Sequence, residues 1–334
     1  MGDQAATPQQ GTVLVAGGAG YIGSHIVRAL HQLGRPVVVL DDLSSGHRWA
    51  VPAAVPLVVA DVGDEAVVRE TVVKYAVASV VHCAALIQVG ESMRQPGRYW
   101  QANVAKTIAL VRTLAAAGCR TLVFSSTAAV YGEPLQTPID ESHPLQPNNV
   151  YGHTKFAVEQ FLANCSAAGE LRYASLRYFN AAGADESAEI GEAHGDESHL
   201  IPLVLRAAAA GNAPILVFGD DWPTADGTCV RDYVHATDLA LAHVAALARL
   251  AEVPSVVCNL GSGRGYSVRE VIDQVQRTTG LTVPVQIAPR RSGDAAVLVA
   301  SNERARLELQ WVPRHSALDE IVGSAWRWEQ RKRT

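Results

Sequence analysis

Three glycines at three-residue spacing, set between an apolar run and an amphipathic stretch, constrain this chain more than any other feature. The segment reads Val13-Leu14-Val15-Ala16-Gly17-Gly18-Ala19-Gly20-Tyr21-Ile22-Gly23-Ser24-His25, and the helical pattern continues toward Leu33. Each glycine has a physical task. Gly17 lets the chain turn sharply off a strand, Gly20 lets backbone N–H groups approach a diphosphate, and Gly23 lets the following helix pack close to the sheet. The anion would sit at the positive end of that helix. An ordinary strand-to-helix turn also tolerates glycines, so the loop alone decides little. Order and length decide more: strand, glycines, helix, a second apolar run at Val37-Val38-Val39-Leu40, and an acidic residue, Asp41, at its end. That arrangement predicts a dinucleotide-binding unit.

The pattern keeps alternating. Apolar runs at residues 55–60, 79–82, 121–124 and 173–176 interleave with helical patterns at 64–75, 96–117 and 150–168. Continuous apolar runs between helices predict a parallel sheet covered on both faces, a doubly wound α/β fold of Rossmann type. Gly34, Gly118, Gly169, Gly211 and Gly280 stand just past helical stretches, where a left-handed residue ends a helix. Beyond Asn180 the rhythm changes. Residues 181–200 are small, acidic and irregular, and 220–227 are rich in turn formers. Strand-like runs at 215–218, 255–260 and 283–287, with helical patterns near 201–210, 236–250 and 267–279, predict a smaller α/β lobe. The expected division is a disordered segment over 1–11, a dinucleotide-binding domain over 12–180 and a substrate lobe over 181–334. The chain is expected to return to the first domain near 235–262, because residues 256–260 again read as a fully buried strand.

Composition narrows the function classes. At 334 residues, 48% hydrophobic and 18% charged, the chain is globular and long enough for a large core. A net charge of −5 carries no basic surplus for nucleic acid or an anionic membrane. Five cysteines (Cys83, Cys119, Cys165, Cys229 and Cys258), without a C-x-x-C pair, point to reduced thiols rather than a disulfide framework. The polar residues 1–11 have neither a basic end nor an apolar core, so no secretory leader is expected. No apolar stretch approaches the roughly 18 residues a spanning helix needs. A cytoplasmic protein is expected, and no metal-ligand spacing of His or Cys is apparent.

Two further stretches bear on chemistry. Tyr151-Gly152-His153-Thr154-Lys155 puts a tyrosine and a lysine one turn apart on a helix. A tyrosine with a pKa near 10 is a poor base at neutral pH, and an adjacent ammonium is expected to lower it toward proton transfer with a substrate hydroxyl. Taken alone, such a pair is also what an exposed helix face looks like. Phe124-Ser125-Ser126-Thr127-Ala128-Ala129-Val130-Tyr131-Gly132 begins on the fifth strand and carries hydroxyls to its carboxyl end, where open α/β sheets bind ligands. A hydroxyl turn closing a strand is the plainer reading. A Ser-His-Asp nucleophile fits worse, since the chain has no G-x-S-x-G elbow and His82 lies inside the apolar pattern of a strand.

The glycine run, the hydroxyl-bearing strand end and the Tyr-x-x-x-Lys together resemble the extended short-chain dehydrogenase/reductase family, and within it the UDP-galactose 4-epimerases. His82-Cys83-Ala84-Ala85, Val89-Gly90-Glu91-Ser92, Leu176-Arg177-Tyr178-Phe179-Asn180, Gly227-Thr228-Cys229-Val230-Arg231-Asp232-Tyr233 and Arg291-Ser292-Gly293-Asp294 extend the resemblance from Gly11 to about Trp328. It implies that Tyr151 is the acid/base, Lys155 its electrostatic partner and ribose ligand, and Thr127 the catalytic hydroxyl, with Ser126 the weaker candidate. For NAD it implies Gly17, Gly20, Tyr21, Ile22, Gly23, Asp41 and Asp42 at the adenosine end. Asp61 and Val62 would flank the adenine. Cys83, Ala84, Ala85, Asn103, Ser125 and Phe179, with Tyr151 and Lys155, would line the rest. For a UDP-sugar it implies Ser126, Thr127, Asn180, His199, Leu200, Val217, Phe218, Arg231, Arg291, Asp294 and Leu298. A guanidinium fork suits a diphosphate, which agrees for the two arginines.

The implied reaction is reversible C4 epimerisation of UDP-hexoses by transient oxidation to a 4-keto sugar, with NAD and no metal. Another nucleotide-sugar enzyme of the same fold, a uronate or pentose epimerase or a decarboxylase, remains open, as does a non-catalytic NAD-binding regulator. A 4,6-dehydratase would carry an Asp-Glu pair where Ala128-Ala129 stand. Three positions depart from many members: Ile87 where some carry lysine, His199 where some carry asparagine, and Leu298 where some carry a tyrosine walling the sugar pocket. The shorter Leu298 leaves room for an N-acetyl group, so both the plain and the N-acetylated sugar pair are expected substrates. Apolar residues on several faces of the helices near 96–117 and 150–168 suggest a homodimer.

Overall fold

Alternate residues of a buried strand face opposite sides of its sheet, and here each side meets its own layer of helices. The structure, a computed structural model, describes residues 11–291 and 293–331. Apart from Gly11, the segment expected to be disordered lies outside the described residues.

The strands β1 (Thr12–Ala16), β2 (Val37–Asp41), β3 (Leu57–Val59), β4 (Val77–His82), β5 (Thr121–Thr127) and β6 (Arg172–Tyr178) run parallel. Between them come the helices α1 (Tyr21–Gln32), α2 (Glu65–Lys74), α3 (Val89–Arg94), α4 (Pro96–Tyr99), α5 (Lys106–Ala116) and α6 (Val150–Ala167). The second half contains β7 (Asn180–Ala182), α7 (Leu200–Ala210), β8 (Ile215–Phe218), β9 (Val230–His235), α8 (Ala236–Arg249) and β10 (Ser255–Leu260). It ends with β11 (Gly265–Ser267), α9 (Val268–Thr279), β12 (Val285–Ala288), β13 (Val297–Leu298), α10 (Glu303–Leu309) and α11 (Leu318–Arg331).

Among the described residues the main sheet has seven strands, in the order β10-β6-β5-β4-β1-β2-β3. Val13, Val15 and Val39 join α1 and α8 in one core, while Leu14, Ala16, Val38 and Leu40 join α2, α5 and α6 in the other. This double burial is why the strands read as unbroken apolar runs. Strand order reverses between β1 and β4, which opens a crevice at their carboxyl ends. The architecture is the doubly wound Rossmann type. All five glycines expected to end helices hold left-handed backbone, with φ between +68° and +85°.

The second half is threaded through the first rather than appended to it. β10 pairs with β6, and α8 and α10 pack with Trp311 against the same core as α1. A third core gathers α7, α9 and α11 around β8 and β9. No helix among the described residues is long and apolar enough to cross a membrane.

Three details differ from the sequence expectations. Strand β5 continues past Phe124 to Thr127, so the hydroxyl run is itself strand. The helix expected over 96–117 widens into a π turn over Trp100–Ala105, between α4 and α5. The elements α3, β7, β9, β11, β13, α10 and α11 were not anticipated. Yet α11 has a helical apolar stripe, Leu318, Ile321, Val322, Ala325 and Trp328, all buried.

Candidate active site

Helix α6 begins against the end of β5, and that junction assembles the chemistry. Asn149 caps α6 by accepting from the Gly152 N–H at 2.8 Å. A Cβ on Gly152 would come within 2.5 Å of the Ala129 carbonyl oxygen, so only glycine lets the helix approach the short turn after β5 so closely. Ser92 of α3 accepts from the Tyr151 N–H at 3.1 Å. Together these contacts hold Tyr151 beside Thr127.

Lys155, one turn on, is 3% exposed. Its Nζ donates to the Ser125 carbonyl at 2.8 Å and lies 4.7 Å from the Phe124 ring centroid and 6.0 Å from that of Tyr151. Burial takes the Lys155 ammonium down to about 8, against the opposing pull of Cys83 and Glu159. Burial also pushes the Tyr151 phenol up to about 12, with the Thr127 hydroxyl working the other way. The expected lowering of the phenol by Lys155 is therefore corrected: desolvation sets the direction, and the opposing pull comes from Thr127.

The strand alternation of β5 separates its hydroxyls. Thr127 accepts from the Ala129 N–H at 3.2 Å and faces Tyr151. Ser125 meets the Cys83 thiol and His243 Nε2, each at 3.1 Å, and burial pushes that thiol up to about 11. Ser126 donates to Glu159 and is 1% exposed. Its hydroxyl is thus engaged beneath the site, not at the Tyr151–Thr127 pair. Glu159 accepts from Arg177 Nε at 3.0 and 3.1 Å, Arg177 Nη1 donates to Tyr131 at 3.0 Å, and Tyr131 donates to Asn259 at 2.7 Å. The sequence reading missed this buried chain, although Glu159 lies two turns from Tyr151 on the same face of α6.

On the cofactor side, Gly17 has φ +80°, and a Cβ there would come within 2.5 Å of the Ala84 nitrogen. A Cβ on Gly23 would strike the Gly17 carbonyl oxygen at 2.0 Å, whereas one on Gly20 would meet only that oxygen, at 3.4 Å. The loop is closed where it must pack and open where a diphosphate would lie. This cradle fits a dinucleotide. Buried Asp41 ties the loop to β2 by accepting from the N–H groups of Ala19 and Leu43, both at 2.9 Å. Desolvation raises its pKa. Asp42 accepts from the Ser44 N–H, and Asp61 pairs with Lys106 beside buried Val62. Tyr21 donates to the Gly183 carbonyl at 2.6 Å, and Ile22 packs into the α1 core. Asn103, in the π turn, donates to the Leu86 carbonyl and Thr154 hydroxyl at 3.0 and 3.1 Å and accepts from the Leu86 N–H at 2.8 Å. At 2% exposure it braces the loop carrying Ala84 and Ala85 against α6.

The residues expected around a nucleotide come from scattered loops and short strands. Leu298 pairs with Arg231 across β13 and β9, and Asn180 pairs with Tyr233 across β7 and β9. Arg231 donates to the carbonyls of Val230 and Ala295 at 2.9 and 2.8 Å and stands 3.7 Å from Asp294. The Arg291 guanidinium lies 3.7 Å over the Phe218 ring. Val217 is buried in the third core, on the strand paired with β12. Phe179 is buried beside Tyr131 and Ile139. The His199 ring, immediately before Leu200 at the start of α7, is engaged by Glu192 and Glu197.

A family model described as "NAD dependent epimerase/dehydratase family" matches residues 13–261. The UDP-glucose 4-epimerase of Halalkalibacterium halodurans is 46% identical over 319 residues, 95% of each chain. The solved structure of UDP-glucose 4-epimerase from Brucella ovis in complex with NAD is 44% identical with a TM-score of 0.92, covering 95% of this chain and 98% of that one. That from Stenotrophomonas maltophila, with bound NAD and formylated UDP-arabinopyranose, is 42% identical with a TM-score of 0.94, covering 97% and 99%.

Proposed function

This chain belongs to the NAD dependent epimerase/dehydratase family, and on that premise we propose that Tyr151, Thr127 and Lys155 carry its chemistry. The chain is an NAD-dependent enzyme that reversibly epimerises UDP-hexoses at C4. The observation that carries the residue assignment is the close approach of α6 to the end of β5, which sets the Tyr151 phenol beside Thr127 at the mouth of the crevice. NAD, when bound, supplies the hydride acceptor and donor for C4 of the sugar.

The protein's own part is proton handling and grip. Tyr151 exchanges a proton with the sugar 4-hydroxyl: it takes the proton as the phenolate, which the Lys155 charge favours against the pull of burial, and returns it after the sugar has turned over. Thr127 hydrogen-bonds both the phenol and that hydroxyl. Lys155 holds a fixed positive charge behind the phenol, anchored by the Ser125 carbonyl. Gly17, Gly20 and Gly23 would hold the cofactor diphosphate, with Asp41 toward a ribose, where a carboxylate disfavours a 2′-phosphate. Arg231, Arg291 and Asp294 would grip the UDP moiety while the hexose stays loosely held, so that either face of C4 can be presented. Incubating the purified protein with UDP-galactose, without added NAD, tests the reading: UDP-glucose is expected, and its absence with cofactor still bound would overturn it.

Two finer readings rest on single observations. Leu298, half-buried against the cluster of Tyr131, Ile139 and Phe179 and shorter than an aromatic ring, supports turnover of N-acetylated UDP-hexoses too. Val89, Met93 and Trp100 are 45%, 57% and 43% exposed along α3 to the π turn, an apolar surface that supports a two-fold homodimer through this helical layer. Light scattering at micromolar concentration tests the dimer, and a monomer there would count against it.

A further inference from the structure

We infer that Glu192, His194, Glu197 and His199 form a structural zinc site, apart from the epimerisation chemistry. The four residues lie within eight positions of one another, in the segment between β7 and α7. Each offers one donor atom, and the four donors all lie within 4.8 Å of one another. His194 Nδ1 is 3.1 Å from Glu192 Oε1 and 3.7 Å from Glu197 Oε1, and His199 Nδ1 is 3.8 Å from Glu197 Oε1 and closer still to Glu192 Oε1. Donors around a tetrahedral zinc, bound at about 2.0–2.1 Å, stand roughly 3.3 Å apart, so small side-chain adjustments would bring the four donors into a closed shell.

The Glu197 carboxylate is enclosed by its own segment and by α7. Glu197 has only 1% of its side chain exposed, and its Oε2 is buried with no hydrogen-bond partner among the described residues. Arg206 Nη2 stands 3.7 Å away, beyond hydrogen-bond reach. Its other oxygen is occupied by the N–H groups of Ser198 and His199, both at 2.9 Å. Oε1 is the oxygen nearer both histidines and Oε2 the one nearer Arg206, so a metal ion seated on the histidines would take Oε1 and leave Arg206 to balance Oε2. Two carboxylates balance a divalent charge, and two imidazoles with two carboxylates suit zinc. Magnesium and calcium prefer six or more oxygens.

The placement explains what such an ion would hold. The Glu192 carbonyl accepts from Trp328 Nε1 of α11 at 2.7 Å, and the His194 ring meets that of Tyr21 edge-on at 6.2 Å. The ion would pin an irregular segment against both the glycine loop and the last helix.

The test uses the whole chain. After incubation with micromolar zinc and dialysis against metal-free buffer, elemental analysis should find one zinc per chain, and the His31→Gln surface control should keep it. The His194→Gln and Glu197→Gln variants should each retain under a tenth. Adding a chelator should lower the wild-type melting midpoint by about 5–10 °C and leave the variants unmoved. Because the chelation arm compares wild type with itself, poorly folding variants would not obscure the answer. A wild type without stoichiometric zinc, or variants that hold it equally, would overturn the proposal.

Discussion

The two sides of the crevice are built on opposite plans. Tyr151, Lys155 and Thr127 sit at the ends of a long helix and a central strand, with Ser126, Glu159, Arg177, Tyr131 and Asn259 hydrogen-bonded beneath them. Arg231, Arg291, Asp294 and Leu298 come from short strands and turns, where Arg231 donates to two backbone carbonyls and Arg291 covers one ring face. On the proposed assignment the first side transfers protons, which needs a donor placed within fractions of an ångström, and burial with over-determination suits that task. On the same proposal the other side grips a diphosphate while the hexose turns, and longer arms on loops permit that.

Removing one oxygen from the rigid side should have the largest effect. Tyr151→Phe is expected to lower kcat by about 10²–10⁴-fold while NAD stays bound, read by turnover and by cofactor released on denaturation. Near-normal turnover would dissolve the contrast between the two sides.

Glu159→Gln probes the support beneath it. Leaving Arg177 as an uncompensated buried charge should cost about 3–5 kcal/mol by urea unfolding. On the loop side, Asp221→Asn breaks the exposed pair with Arg290 and should leave stability unchanged within error. Equal losses would mean that the loops are as rigidly built as the sheet.

The sheet side should also set the acid limit. Burial takes His82 down to about 3 and His243 to about 4, so both are neutral in the fold. Below pH 6.5 the unfolded chain takes up protons that these rings refuse, and stability falls as pH drops from 6.5 toward 4. Each contributes a slope of at most about 1.4 kcal/mol per pH unit. His243→Gln should flatten that slope; an unchanged slope would remove this ring from the account.

The smallest effect should come from the loop side. Leu298→Tyr is expected to slow UDP-N-acetylgalactosamine several-fold more than UDP-galactose, measured as the ratio of kcat/KM values. Equal slowing would make Leu298 a packing residue.

Much of the fold was legible because it depends on period and spacing. Unbroken apolar runs announced doubly covered strands, and Gly17, Gly20 and Gly23 announced the cradle. The second half of the chain was less legible. β9 carries Arg231 and Asp232 amid apolar residues, and Asp232 is tolerated only because Ser262, Gly263 and Ala300 donate to it from distant segments. The π turn likewise left no periodic trace, since one widened turn barely shifts a helical pattern.

The sequence by itself determined the layer architecture, the cofactor cradle and the pairing of Tyr151 with Lys155, because each follows from local geometry within a few turns. Only the tertiary structure decided the state of those groups. Burial raised the phenol where charge pairing alone suggested lowering it, since desolvation depends on what packs around a side chain. It also drew Ser126 into the Glu159 network, braced Asn103 against α6, and closed Glu192, His194, Glu197 and His199 into one cluster. Those outcomes rest on segments brought together in space, and chain spacing alone does not encode them.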